Sequence, residues 1–203
     1  MNGHDLLLSY TVFCLIMATT PGPNNMMMLA SGVRFGTRRS LPLAAGVAVG
    51  MAVLFAATGL GLGAAFAALP ALALALRVLS AAFLLWLAWK IATAGPLKRD
   101  HDDLTILGFG TGVTFQWVNP KSWAAAMSAA ATYMPESAGF PTVAAGAAIM
   151  AGVALFATTL WIIFGTWLSR FLHAPRRAHA FNIAMAVLLL ASTLPILFGK
   201  LAV

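Results

Sequence analysis

Two stretches of the chain place proline and polar side chains inside long apolar runs. The first reads TTPGPNN over residues 19–25, and the second reads QWVNPKS over residues 116–122. Proline inside a helix removes a backbone hydrogen bond and clashes with the preceding turn, so each stretch predicts a break in a helix. In hydrocarbon, unpaired backbone is tolerated only where it lines protein or a water-filled space. The two breaks therefore predict a binding site for a small polar substrate.

Lys121 is the residue of the second stretch with the clearest chemistry. A charge at the centre of a bilayer costs roughly 2.5–3.5 kcal/mol on insertion scales, and such residues are functional by default. Lys121 could bind a substrate carboxylate, or it could lose and regain a proton as its surroundings change. The alternative is a structural lysine that is held by carbonyls freed from the broken helices.

The other polar residues at the breaks suit a zwitterionic substrate. Asn24, Asn119 and Gln116 can each donate and accept hydrogen bonds. They could instead satisfy backbone groups that the prolines free; this alternative is left open for Asn24 and Asn119 and is favoured for Gln116, as it is for Asn25. The remaining predicted site residues act through backbone shape, because amides exposed at a half-helix start attract a carboxylate and freed carbonyls attract an ammonium group. These are Pro21, Gly22, Pro23 and Pro120.

Other kinds of chemistry find little support in the residues. No metal-ligand spacing, nucleophile elbow or pair of intramembrane carboxylates is present, so we expect neither an enzyme nor a cofactor. The glycine stretch at 59–63 lies inside an apolar run and does not predict a nucleotide site. The single cysteine, Cys14, and the ten methionines are interpreted as packing residues. Thr19 and Thr20 are expected to cap the broken helix.

Composition defines the setting for these breaks. Of the 203 residues, 61% are hydrophobic and only 8% are charged, against about 25% charged residues in an ordinary soluble domain. The mean hydropathy is +0.91. These values exclude a soluble globular domain, a disordered chain and a nucleic-acid-binding domain. They predict an all-α integral membrane protein in a lipid bilayer.

Six apolar runs are long enough to span a bilayer. Lysine and arginine concentrate in the first, third and fifth loops, which places those loops in the cytoplasm and both termini outside. Arg77 lies just inside the third run and either snorkels to the outer headgroups or faces the pathway. The runs lie near residues 6–32, 41–67, 72–94, 104–133, 142–168 and 180–200.

The six runs divide into two sets of three, at about 1–97 and 104–203, within a single transporter domain over 1–203. Because three spans is an odd number, the two repeats must be inverted relative to each other. Pro21 in the first run and Pro120 in the fourth lie at matching places, so helices 1 and 4 are predicted to break at mid-membrane. Matched breaks in inverted repeats are typical of a transporter's binding site. Glycines spaced four apart favour close helix packing within one chain or in a homo-oligomer.

The motifs also resemble those of a known family. Residues 18–25 resemble the PGP signature of the LysE/RhtB family of amino-acid exporters, and Asn119-Pro120-Lys121 resembles its second signature. The stretch 86–92, WLAWKIA, is similar to the end of that family's third segment. The likeness covers the whole chain and is nearest to the branch that exports cysteine and O-acetylserine.

The resemblance implies a secondary transporter of the bacterial inner membrane that exports small amino acids or their derivatives. It also implies proton antiport with alternating access, which the residues themselves do not indicate: the acidic residues lie at predicted membrane edges. A channel or a non-transporting membrane scaffold is the alternative. The sequence leaves the exported amino acid, the residue that carries the proton and the oligomeric state open.

Overall fold

A computed structural model describes residues 3–62, 70–94, 107–135, 139–172 and 174–198. Over these ranges the chain is helical, with short connections. The side chain of Arg77 and the acidic residues Asp100, Asp102, Asp103 and Glu136 lie outside the described part. The helices are α1 (Gly3–Thr19), α2 (Pro23–Ala57), α3 (Pro70–Ala92), α4 (Phe109–Val118), α5 (Pro120–Tyr133), α6 (Phe140–Leu168) and α7 (Pro175–Phe198). A π-helical turn, Thr58–Leu62, continues α2, and a 3-10 turn, Ser169–Phe171, continues α6.

Helix breaks are present at both proline stretches. Between α1 and α2, Gly22 is fully extended, with φ −175° and ψ −178°. Between α4 and α5, Asn119 has φ −93° and ψ 107°. Pro23 and Pro120 each begin the following helix, where proline is favoured because the first helical N–H has no partner in the helix. The predicted match of Pro21 with Pro120 is therefore displaced by two residues: Pro23 is the structural counterpart of Pro120.

The predicted first loop is a single-residue turn. Helical structure runs through residues 33–40 except at Gly36, which has φ 75° and ψ 173°. Glycine adopts a positive φ without the steric cost that a Cβ brings, so the turn needs no other loop residue. Gly36 divides α2 into two arms, and Pro42 lies inside the second arm. Arg38 and Arg39 remain exposed beside the turn.

Glycines hold α2 close to two neighbouring helices. A Cβ at Gly32 would overlap the backbone carbonyl of Ile162 on α6, and one at Gly46 would overlap the carbonyl of Phe109 at the start of α4. Gly165 and Gly112 face α2 in the same way from the other side of each contact. Such backbone contact is the close packing that glycine allows between helices in lipid. α2 packs mainly on α6 and then on α4, and α3 packs mainly on α7.

The outer surface of the described helices is apolar. Large hydrophobic side chains are more than half exposed on several helices, including Leu74, Trp89, Phe156 and Val187. This is the surface expected of helices that face lipid chains and not water. Two helical stretches, Pro23–Leu62, which contains the turn at Gly36, and Phe140–Phe171, are long and apolar enough to cross a bilayer, judged over the residues described. Shorter apolar helices cover His4–Thr19 and Val78–Ala92.

Candidate functional site

A cavity lies where the two helix breaks meet. About 570 Å³ of space, including its open mouth, is enclosed by α1, α2, α5 and α6. One part of the wall is polar and belongs to the breaks: Gly22, Asn24, Asn25, Asn119, Lys121 and Ser122.

Lys121 crosses the cavity from α5 to the end of α1. Its Nζ donates to the carbonyl oxygen of Thr20 at 2.6 Å and to that of Pro21 at 3.4 Å. Lys121 is the second residue of α5, so its ammonium group lies near the positive end of the dipole of its own helix, which is unfavourable. The negative, carboxyl-terminal end of α1 offsets that effect. The lysine is therefore seated on carbonyls that the break exposes.

Gly22 leaves the room that this lysine needs. A Cβ at position 22 would lie 2.8 Å from the Cδ atom and 3.1 Å from the Nζ atom of Lys121. As the residue before α2, glycine also has no side-chain oxygen with which to cap the first amides of that helix. The amino-terminal end of α2 therefore presents backbone N–H groups beside the ammonium group, an arrangement that favours an anion.

Asn25 secures the other side of the first break. Its Nδ2 donates to the carbonyl oxygens of Ala18 at 3.0 Å and Thr20 at 2.8 Å, and more weakly to that of Thr19. The hydroxyls of Thr19 and Thr20 donate back to carbonyls of their own helix. Free carbonyls at a helix end need such partners when they are buried. Asn25 thus takes the backbone-satisfying role that the sequence favoured.

Asn24 and Gln116 join the two breaks directly. The Nδ2 of Asn24 donates to the Oε1 of Gln116 at 2.9 Å, and the Nε2 of Gln116 donates to the Oδ1 of Asn24 at 3.1 Å. Gln116 has no exposed surface. Its Oε1 also accepts from the hydroxyl of Ser122 at 2.7 Å, and its Nε2 donates to the carbonyl of Gly112. Gln116 therefore links the polar residues without lining the cavity.

Asn119 caps α5. Its Oδ1 accepts a hydrogen bond from the backbone N–H of Lys121 at 3.1 Å, and its side chain is almost fully buried. Asparagine is one of the residues that best satisfy the free amides at a helix start. Its cap fixes the backbone that carries Lys121.

The remainder of the cavity wall is apolar and rich in sulfur. Cys14 and Met17 lie on α1, Met51 lies on α2, and Met150 lies on α6. Cys14, Met51 and Met150 are each at most 8% exposed. Phe13, Ala18, Val47, Ala125, Ala154 and Thr158 complete this wall.

The cavity brings together only part of the predicted set. Lys121, Asn24, Asn119 and Gly22 line it, whereas Gln116 lies behind the wall. The remaining predicted residues, Pro21, Pro23 and Pro120, lie at the breaks but are not among the residues that line the cavity.

The sequence interpretation missed the sulfur-bearing wall. Cys14, Met51 and Met150 belong to the packed core, as the sequence predicts, and Met17 packs against it; these four side chains also line the cavity. On α1 a signal was available, because Cys14 and Ala18 are four residues apart and lie within two turns of Pro21. Met150 and Thr158 on α6 had no comparable signal, since no break or charge marks that helix.

Two tryptophans beside the second break pack against each other. The rings of Trp117 and Trp123 meet edge to face at 5.8 Å, and the Nε1 of Trp123 donates to the carbonyl of Trp117 at 2.9 Å. Neither residue lines the cavity. Within the described ranges, no group of three His, Cys, Asp or Glu side chains could hold a metal ion.

A family model described as LysE type translocator matches residues 15–198, which include both breaks and all the cavity residues except Phe13 and Cys14. The chain belongs to the LysE-type translocator family. This LysE-type protein is therefore a membrane translocator and not an enzyme, and the predicted family is confirmed.

Three curated relatives of this LysE-type protein share one name. A cysteine/O-acetylserine efflux protein of Escherichia coli O139:H28 (strain E24377A / ETEC) is 31% identical over 187 residues, covering 91% of this chain and 94% of the relative. Proteins of the same name from Escherichia coli (strain K12) and Shigella flexneri serotype 5b (strain 8401) are each 31% identical over 186 residues, covering 91% of this chain and 93% of the relative. No solved structure matches the chain.

Proposed function

We propose that this LysE-type translocator exports small amino acids or their derivatives from the cytoplasm, with cysteine and O-acetylserine as the first substrates to test. One observation carries the proposal: in the cavity where the two breaks meet, the Lys121 ammonium group donates to the carbonyls of Thr20 and Pro21, just after the end of α1, beside the uncapped start of α2. The names of the curated relatives supply the substrate class.

The cavity offers a partner for each end of an amino acid. The carboxylate would lie against the backbone amides at the start of α2, where the helix dipole is positive. The ammonium group would lie against the carbonyls of Thr20 and Pro21, where the dipole of α1 is negative. Asn24 lines the cavity between these two positions and can donate to the substrate or accept from it.

Lys121 supplies a route to proton exchange. Its ammonium group occupies the carbonyls of Thr20 and Pro21 that a substrate ammonium group would need. In the proposed cycle, loss of a proton from Lys121 releases these carbonyls to the substrate, and regaining the proton expels it. Substrate and proton would then exclude each other from one site, which is the requirement for antiport.

The proposed architecture is six spans in two inverted repeats, with both termini outside and the broken helices meeting at mid-membrane. The equivalent starts of α2 and α5 at Pro23 and Pro120 support the repeat. In the proposed cycle, one set of helices rocks against the other and exposes the cavity to each side in turn. The location proposed is the bacterial inner membrane.

The proposal is tested with purified protein in lipid vesicles loaded with labelled cysteine, kept reduced, or with O-acetylserine. We expect saturable efflux that accelerates when an inward proton gradient is imposed. Counterflow, in which external unlabelled substrate speeds the release of label, distinguishes a carrier from a channel. Efflux equal to that of protein-free vesicles for every small amino acid would overturn the proposed function.

A further inference from the structure

We infer that the sulfur-bearing wall of the cavity is a side-chain subsite that selects amino acids with small, uncharged and weakly polar side chains, thiols and thioethers above all. This inference rests on the proposed function and deepens it. The sulfur wall comprises Cys14, Met17, Met51 and Met150. These four residues come from three different helices and converge on one cavity.

The position of the sulfur wall defines what it can contact. The polar ends of the cavity belong to the two breaks, where Lys121 and the start of α2 lie. An amino acid held there by its ammonium and carboxylate groups directs its side chain away from both. The surface away from the breaks is mostly apolar, so in this pose the side chain lies against the part of the lining to which the sulfur wall belongs.

Charge excludes other classes of substrate. Among the described residues that line the cavity, Lys121 is the sole charged side chain. The side chain of lysine or arginine would have no carboxylate to pair with among these residues. That of aspartate or glutamate would compete with the substrate's own carboxylate for the backbone amides at the start of α2. Burying an unpaired charge is strongly unfavourable, so these substrates should be rejected.

Hydrogen bonding distinguishes the thiol of cysteine from the hydroxyl of serine, although the two side chains have similar shapes. Cysteine and serine differ by one atom, but a hydroxyl that leaves water needs a partner, whereas a thiol is a weak donor that behaves as a small hydrophobe. Methionine side chains are flexible and polarisable and can close around a sulfur atom. The hydroxyl of Thr158 also lines the cavity and already donates to the carbonyl of Ala154 at 2.6 Å. It can therefore act toward a substrate only as a hydrogen-bond acceptor.

The test is counterflow in vesicles with reduced cysteine, serine, methionine, lysine and glutamate as competing substrates. We expect cysteine to be preferred to serine by at least about tenfold, which corresponds to about 1.4 kcal/mol. Methionine should compete, and lysine and glutamate should not. A ratio between two substrates is measured on the same preparation, so it does not depend on how much protein folds.

Variants move this ratio in opposite directions. Met150→Gln adds hydrogen-bonding groups at similar size and should lower the cysteine-to-serine preference to about threefold or less, whereas Thr158→Val removes an acceptor and should raise it. Met127→Gln, outside the cavity, is the matched control and should leave it unchanged.

The failures of the two proposals are distinguishable. Amino-acid counterflow with equal use of cysteine and serine, or with lysine as a good substrate, would overturn the inference and leave the exporter in place. A preference that Met150→Gln and Thr158→Val leave unchanged would also overturn it. Absence of counterflow with every amino acid would overturn the proposed function itself.

Discussion

Asn24 and Lys121 occupy the same position in two different helices, and each reaches across to the other broken helix. Each is the second residue of a helix that begins with proline, in α2 and α5 respectively. Asn24 exchanges two hydrogen bonds with Gln116 near the end of α4, and Lys121 donates to Thr20 after the end of α1. The two breaks are thus tied to each other by side chains that differ in one respect: only one of them carries a charge.

The first prediction concerns that charge. Lys121→Met keeps an unbranched side chain that ends at Cε and removes the ammonium group. We expect cysteine or O-acetylserine efflux to fall by about 10- to 100-fold. The basis is the loss of the charge-assisted hydrogen bonds from Lys121 to the carbonyls of Thr20 and Pro21, worth about 1.5–3 kcal/mol, by which the ammonium group expels the substrate in the proposed cycle. Vesicle efflux under an imposed proton gradient is the measurement.

Lys90→Met is the matched control for this variant. Lys90 is exposed on α3, with its Nζ 5.7 Å from the ring centre of Trp86, far from the cavity lining. It should retain full efflux. Full efflux by Lys121→Met would remove this lysine from the proposed cycle.

The second prediction concerns the pair that joins the breaks. Asn24→Ala and Gln116→Ala should each destabilise the protein by about 1–3 kcal/mol, because each removes the two side-chain hydrogen bonds that join the breaks. In the double variant the losses should not add, with a coupling energy of about 0.5–3 kcal/mol. Thermal unfolding in detergent measures all three variants.

Thr114→Ala on the same helix provides the reference. Its hydroxyl is exposed and donates to a carbonyl of α4 itself, so its removal should change stability little and should add to either single variant. Strict additivity of Asn24→Ala and Gln116→Ala would show that the pair contributes no joint stability.

The third prediction concerns the contact between α2 and α6. Gly165→Ala should destabilise the protein by about 1–3 kcal/mol, since its Cβ would overlap the carbonyl of Leu29 and force the helices apart. Gly152→Ala, on the same helix, meets nothing and should stabilise it by up to about 1 kcal/mol through helix propensity. Melting temperatures in detergent should therefore shift in opposite directions. Equal shifts would mean that the close contact is not maintained in solution.

The fourth prediction concerns a hydrogen bond between α1 and α6. The buried hydroxyl of Tyr10 donates to the carbonyl of Gly146 at 2.8 Å. Tyr10→Phe should lower the free energy of unfolding by about 0.5–1.5 kcal/mol. Tyr133→Phe, whose ring lies 5.4 Å from that of Tyr10, is the control and should have little effect. A loss of the same size in both variants would show that the effect does not come from the hydrogen bond between Tyr10 and Gly146.

Proline and charge made the breaks predictable from sequence. A proline among apolar residues has few structural outcomes, and a lysine beside it narrows them further, so residues 19–25 and 116–122 were identified without a structure. The exact register was not predictable. Pro21 and Pro23 satisfy the same rule, and only the observed helix starts show that Pro23 is the counterpart of Pro120.

The opposite wall of the cavity carried no such signal. Met51 and Met150 have the same local chemistry as Met127, which lies outside the cavity, and only the packing of α2 and α6 decides which methionine faces the site. The turn at Gly36 is shorter than the predicted first loop for a related reason. Arg34, Arg38 and Arg39 indicate a loop, but a polar segment can remain helical on both sides of one glycine.

That single-residue turn also determines how the cavity can change shape. One arm of α2 carries Asn24 and the other carries Val47 and Met51, so the two arms contribute different parts of the cavity wall and are joined at Gly36. A Cβ at Gly36 would meet no other atom, yet this positive-φ conformation costs a residue with a Cβ roughly 1–3 kcal/mol. A substitution at Gly36 would therefore act on the angle between two parts of the cavity wall without contacting any residue that lines the cavity.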